Sequence, residues 1–340
     1  MVKSPGDEFP LLVRTDALVD ELRDNAAKAL REFDHEAIHQ ARVATRRLKA
    51  ALDLMKPVLG GEERKPFSRA LRKLRRRLGP LRDLDVMMGH LREMSRLKAH
   101  APAVKWLSEN LERARESARG ESAEGDRVGQ VLARLGTWWG VREEVAAARS
   151  AIDSLLAEGL HLQLDAFAER ADGLVLGSTS VATGPAPDGK APEDPHELRI
   201  AGKSLRYSLE MAAIEGHELP RKMMKTFKQM QESLGLWHDY VVLSERAMYA
   251  SLEALLPHHN AVLAAGVLDL AKILLRRSDK HLKDFAQLWA ERGQELSAGI
   301  RAQFPLTRPV IIAPQKDPDP PDSTETPPPE APVPDAAANG

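Results

Sequence analysis

Up to about Phe304, apolar residues recur every three or four positions, the step of an amphipathic helix, and no Val/Ile/Thr run alternates as a half-buried strand would. Leu18, Leu22, Ala26 and Leu30 fall on one stripe of a helix predicted over Thr15–Phe33, with Thr15 or Asp16 as its cap. Asp34 is placed to cap a second helix that ends near Lys56-Pro57, before Gly60-Gly61. Glu62–Leu78 reads as a third, stopped by Gly79-Pro80, followed by Leu81–Lys98 and Ala101–Arg119, where Pro102 occupies a first turn that tolerates it. Gly120–Gly129 reads as a loop, and Val131–Leu174 is helical again with interruptions expected at Gly136, Gly140 and Gly159. A second set follows at Pro195–Ile214, Pro220–Leu234, Trp237–Leu255 and, in one or two pieces, His258–Phe304. The pattern predicts an all-α fold.

The two sets share a plan. His39-x-x-Arg42-x-x-x-Arg46-x-x-Lys49 returns as His196-x-x-Arg199-x-x-x-Lys203-x-x-Arg206, and an acid four residues on repeats as Asp53 and Glu210. Lys65, Arg69 and Arg72 ahead of Leu78-Gly79-Pro-Leu-Arg82-Asp83 match Arg221, Lys225 and Lys228 ahead of Leu234-Gly235-Leu-Trp-His238-Asp239. Matching positions lie 156 or 157 residues apart, in the same order, which points to an internal duplication. The reading divides the chain into a first helical half at about 10–172, a linker at about 173–195 and a second half at about 195–305. Residues 306–340, rich in proline and acid, are too poor in apolar side chains to fold and are expected to be disordered.

Composition sharpens this picture at three points. There is no cysteine, which excludes disulfides, thiolate metal sites and thiol nucleophiles. The N-terminus lacks the apolar core of a secretory signal, and the most apolar window, Ala261–Leu275, is interrupted by Asp269 and Lys272; a cytoplasmic protein without a membrane span is expected. The formal net charge of −1 averages over an uneven chain: Arg42–Arg82 holds 14 bases against three acids, and Arg64–Arg82 holds nine bases and no acid.

On a helix, offsets of 3, 7 and 10 keep four side chains within an arc of roughly 80° along roughly 15 Å of axis. Each His/Arg/Lys series is therefore a ladder of cationic or protonatable heads, steadied by the acid one turn beyond its last base. A solvated face would explain one such cluster. It does not explain why the pattern recurs, or why each copy precedes a second basic face. Crowded like charges repel and cost stability unless an anion offsets them. Arginine forks suit phosphate oxygens, while lysine and protonated histidine add point charges. Few aromatics stand near the ladders for stacking on bases, and no nucleic-acid-binding motif is present, so a ligand that is all phosphate fits better than DNA or RNA.

Other motifs carry less. His35-Glu36-Ala-Ile-His39 matches the zinc-hydrolase pattern H-E-x-x-H, but guanidinium groups crowd it and the second copy has Pro192 in place of His35. Asp83 and Asp239 are expected to cap or pair within the bundle, and the Met residues (87, 88, 223, 224, 230) and Trp138-Trp139 to pack in core or interface. His258-His259 read as decoration at a helix start.

HQARVATRRLKAALDLMKP with LRKLRRRLGPLRDLDVM, and HELRIAGKSLRYSLEM with KTFKQMQESLGLWHDYVVL, resemble the CHAD family, the conserved-histidine α-helical domain, over roughly residues 10–305. The resemblance implies two four-helix bundles related by a pseudo-twofold axis, enclosing a basic cavity or surface, and a non-enzymatic polyphosphate binder, associated with polyphosphate granules in some members. It implies no cofactor, and as partners polyphosphate and granule components. Carried over position by position, the binding residues are His39, Arg42, Arg46, Lys49, Arg69, Arg72, Arg75, Arg76 and Arg82 in the first half. In the second they are His196, Arg199, Lys203, Arg206, Lys225, Lys228 and His238. The Glu-x-Glu-x-Lys mark of the triphosphate-tunnel hydrolases to which some members are fused is absent. Gln231 and Glu232 stand where the first half has Arg75 and Arg76, so weaker binding is expected there.

Overall fold

Asp34 sets the frame from which the first site is built: its carboxylate accepts from the Ala37 amide at 2.7 Å and fixes the start of the ladder helix. The computed structural model describes residues 9–96, 98–123, 129, 133–180, 194–255 and 260–306. Within them the helices are α1 (Pro10–Arg31), α2 (His35–Leu54), α3 (Gly61–Met94), α4 (Ala101–Ala123), α5 (Trp138–Ala147), α6 (Ile152–Ser180), α7 (Pro195–Ile214), α8 (Arg221–Leu255) and α9 (Ala261–Gln303). No strand occurs among the described residues, so the fold is all-α, as the 3.6-residue periodicity predicts.

Two cores hold it. The larger draws on α1, α2, α5, α6, α7, the first parts of α3 and α8, and the last part of α9. Phe167 of α6 lies at its centre, edge-on to Phe227, Phe285 and Trp289 at centroid distances of 5.7, 6.3 and 5.3 Å. The smaller joins Met87–Met94 of α3, α4, Tyr240–Ala250 of α8 and Val267–Leu274 of α9. Each core mixes side chains from both halves of the sequence, and the long helices α3, α8 and α9 run through both.

That sharing corrects several boundaries. Gly79-Pro80 does not end a helix: α3 continues from Gly61 to Met94 with Pro80 inside it. Proline removes one backbone donor and crowds the preceding turn, at a cost of about 3 kcal/mol. Leu78 and Leu81 beside it are fully buried, and sinking two such side chains contributes about 3–6 kcal/mol, enough to offset that cost. Likewise, α8 runs unbroken past Leu234-Gly235, and α9 forms one helix. Gly173–Ser180 continues α6 rather than starting a linker, and α4 extends into the expected loop as far as Ala123. The chain turns at Gly136–Thr137, whereas Gly140 and Gly159 lie inside helices.

Neither Thr15 nor Asp16 is a cap, because α1 begins earlier, at Pro10. The Thr15 hydroxyl donates to the Leu11 and Leu12 carbonyls, and Asp16 accepts from Trp138 Nε1 at 2.8 Å and Arg142 Nε at 2.9 Å. Phe33, between α1 and α2, adopts φ +55°; its carbonyl accepts from Arg115 and its ring lies under Arg119. Trp138, Met87 and Met230 are buried, whereas Trp139 is exposed beneath Arg142. The remainder of the expected linker, His258-His259 and the acidic tail from residue 307 lie outside the described residues.

Candidate functional site

On α2, Ile38, Ala41, Thr45, Leu48 and Leu52 turn into the core, which leaves Arg42, Arg46 and Lys49 half-buried at the margin of that stripe. Arg42 reaches α3: its Nη1 donates to the Arg75 carbonyl at 2.9 Å and its Nη2 lies 3.9 Å from Asp83. Its guanidinium rests on Gly79, where a Cβ would come within 3.3 Å of it. Lys65, Arg69, Arg72, Arg76 and Gly79 follow a 4-3-4-3 step and so share one face of α3. The arginine row of α3 therefore meets the α2 ladder at Gly79. Among the described residues Arg69, Arg72 and Arg76 make no ion pair, while Lys49 is paired with Asp53 at 2.6 Å.

His39 sits among these cations. Its pKa is held below the ordinary 6.5, first by burial and then by Arg82, outweighing the opposing pull of Glu36. His35 Nε2 accepts from Arg82 Nη1 at 3.3 Å, so a guanidinium occupies the side of the ring that the H-E-x-x-H reading would give to zinc. Among the described residues no three His, Asp or Glu side chains converge as a metal site would need.

The second ladder repeats these contacts. Asp194 caps α7 by accepting from the His196 amide at 2.8 Å. Where His39 feels Arg82, the His196 ring lies 5.4 Å from its counterpart His238. Where Arg42 faces Asp83, buried Arg199 lies close enough to Asp239 to stabilise its charge. Where Lys49 meets Asp53, Arg206 donates to Glu210 at 3.1 Å. Glu210 also accepts from Arg47 of α2 at 3.0 Å, so one carboxylate ties the two ladder helices together near their C-terminal ends. Asp83 and Asp239 are thus ion-pair partners rather than caps.

The α8 side of this second site departs from the α3 side. Gln231 is buried against Gly202 of α7 so closely that a Cβ on Gly202 would overlap its amide; glycine is what lets α8 approach here. Gly235 is open, with nothing where Gly79 carries Arg42. Lys203 is half-buried, and Lys225 and Lys228 are exposed.

A polar junction surrounds Asp239 that the motifs did not reveal. His90 Nε2 lies 3.4 Å from the carboxylate, and Tyr240 stacks on His281 and meets His90 at a tilt, with Arg277 over its ring. Burial pulls the Asp239 pKa upward, but the His90 hydrogen bond together with Arg199 and His238 prevails and holds it below 3.8. His90 and His281 stand on helices outside the ladders, at positions no spacing rule links to Asp239.

Side chains of this set favour anions. Guanidinium, ammonium and imidazole groups line α2 and α3, and again α7 and α8; Asp83, Asp53, Asp239 and Glu210 face some of them, while Arg69, Arg72 and Arg76 have no ion pair among the described residues. No described helix is long and apolar enough to cross a membrane.

Comparison with known proteins agrees with this architecture. PptA from Streptomyces chartreusis matches at a TM-score of 0.51 with 18% identity, over 81% of this chain and 99% of its own. A crystal structure of the CHAD domain from the plant Ricinus communis matches at 0.50 with 21% identity, over 88% and 91%. No curated protein sequence matches the chain. The family model for the CHAD domain matches residues 14–248, and the chain belongs to that family.

Proposed function

We propose that this chain is a non-enzymatic binder of inorganic polyphosphate. The observation that carries the reading is the meeting of the α2 ladder with the α3 arginine row at Gly79, where Arg69, Arg72 and Arg76 have no carboxylate partner among the described residues. A linear polymer with a charge on every phosphate matches rows of cations, and such rows hold nothing that reads a base. Membership of the CHAD family and the tie between the ladder helices through Glu210 support the same ligand. The partners in this reading are polyphosphate and components of polyphosphate granules, in the cytoplasm or on those granules, with no cofactor.

Binding of this kind releases condensed counterions. If about six phosphates are neutralised, affinity for long-chain polyphosphate falls about a hundred- to a thousandfold between roughly 50 and 200 mM salt. Titration of polyphosphate at both salts, with competing DNA and RNA at equal phosphate concentration, tests this. Salt-independent binding overturns the reading, and competition by nucleic acid at parity transfers the site to a nucleic-acid binder.

A further inference from the structure

We propose that the chain forms a twofold dimer in which the outer face of its α8–α9 hairpin packs against the same face of a second copy. Among the described residues thirteen large apolar side chains are exposed, and seven of them lie between Met248 and Leu275 on this hairpin. Most of the surface lies beyond residue 248, where the family match ends, and it includes no ladder residue.

The exposed positions are ordered rather than scattered. On α8, half-buried Val241 and Glu245 and exposed Met248, Leu252 and Leu255 follow a 4-3-4-3 step. On α9, Ala265, Leu268, Lys272 and Leu275 follow 3-4-3. This is the spacing that keeps a seam against a partner helix in left-handed packing, and here it points away from the molecule's own core. The inner faces are already filled: Leu243, Ala247 and Ala250 of α8 and Val267, Leu270 and Leu274 of α9 form the smaller core with α3 and α4.

Charge selects the occupant. The α8 seam carries one acid, Glu245, and the α9 seam carries one base, Lys272, whose ammonium reaches Asp269 of its own helix at 3.0 Å in an exposed pair that a partner carboxylate can share. Glu245 is half-buried and has no cationic partner among the described residues, and burial alone raises its pKa. Laying the α8 seam of one copy on the α9 seam of another gives each Glu245 a lysine. Twofold symmetry makes that exchange reciprocal, so the surface is complementary to itself. Single charged residues in an otherwise apolar seam fix partner and register in this way.

Sedimentation of the full chain without polyanion, over about 1 to 100 µM, reads the result directly. A species of twice 37.5 kDa is expected. Leu252→Glu, at a position 53% exposed, weakens association more than tenfold and leaves the helical circular dichroism unchanged. Glu245→Lys and Lys272→Glu each weaken it, and combining the two restores it to near the original level. A single 37.5 kDa species at every concentration overturns the proposal. So does a dimer indifferent to Leu252→Glu, or a failure of the double exchange to recover what the single changes lost.

Discussion

The two basic faces start from the same plan and diverge. In the first, Arg75 and Arg76 stand on α3, Gly79 seats Arg42, and Asp83 is 60% exposed. In the second, Gln231 fills the crossing at Gly202, Glu232 replaces an arginine, Gly235 is open, and Asp239 is 28% exposed beneath His90. The first arrangement leaves a row of cations facing solvent. In the second, the corresponding helix supplies packing and a buried polar junction. A repeated motif therefore conserves geometry without assigning equal work to both copies, and one face is free to specialise in holding the chain together.

The largest test of that asymmetry is binding. Replacing Arg69, Arg72 and Arg76 together by Ala should weaken polyphosphate affinity about a hundredfold, whereas Lys225 and Lys228 to Ala should cost under about tenfold. Equal losses in a titration would place the two faces on a par. Glu232→Arg, at an exposed position, sharpens the contrast if it recovers a few-fold in affinity.

Stability should show the opposite bias. Asp239→Asn removes a charge that His90 and Arg199 both favour, and should cost about 1–2 kcal/mol in denaturant unfolding at pH 7. Asp83→Asn, where the carboxylate is exposed and lies 3.9 Å from Arg42, should cost under about 0.5 kcal/mol. Because the folded Asp239 pKa lies below 3.8, its contribution is present above that pH and lost as pH falls through the folded value. The variant should therefore unfold with a flatter acid limb, and parallel acid limbs would contradict the assignment.

The smallest effect is the pH dependence of binding. His39 in the free chain has its pKa below 6.5, so it is neutral at pH 7. A bound polyanion favours the imidazolium and raises that pKa. Affinity should then rise a few-fold as pH falls below about 7 and level off below the free-chain value. The same lowered pKa makes the unliganded fold lose stability over the range just below 6.5, where the unfolded chain takes up the proton first. Titration of His39→Gln should be flatter; an unchanged slope would remove His39 from the site.

Periodicity carried the all-α fold, the start of α2 at Asp34 and the registers of both ladders, because these depend on residues within one or two turns of each other. Even the pairings Lys49–Asp53 and Arg206–Glu210 were legible, since both partners sit on one helix. Gly79-Pro80 and Leu234-Gly235 misled for the complementary reason. Local propensity argues for a break, while buried Leu78 and Leu81 at the first and buried Leu234 at the second outweigh it, and their burial is a property of the assembled cores.

The sequence by itself determined which residues are cationic, how they repeat and which helix face they share, since the chain's own covalent geometry sets those relations. Tertiary structure alone decided that Arg42 lies on Gly79, that Glu210 joins α2 to α7, and that His90 and His281 gather around Asp239 and Tyr240. Those contacts join positions up to 163 residues apart, and what brings them together is the burial of apolar faces that no local spacing encodes.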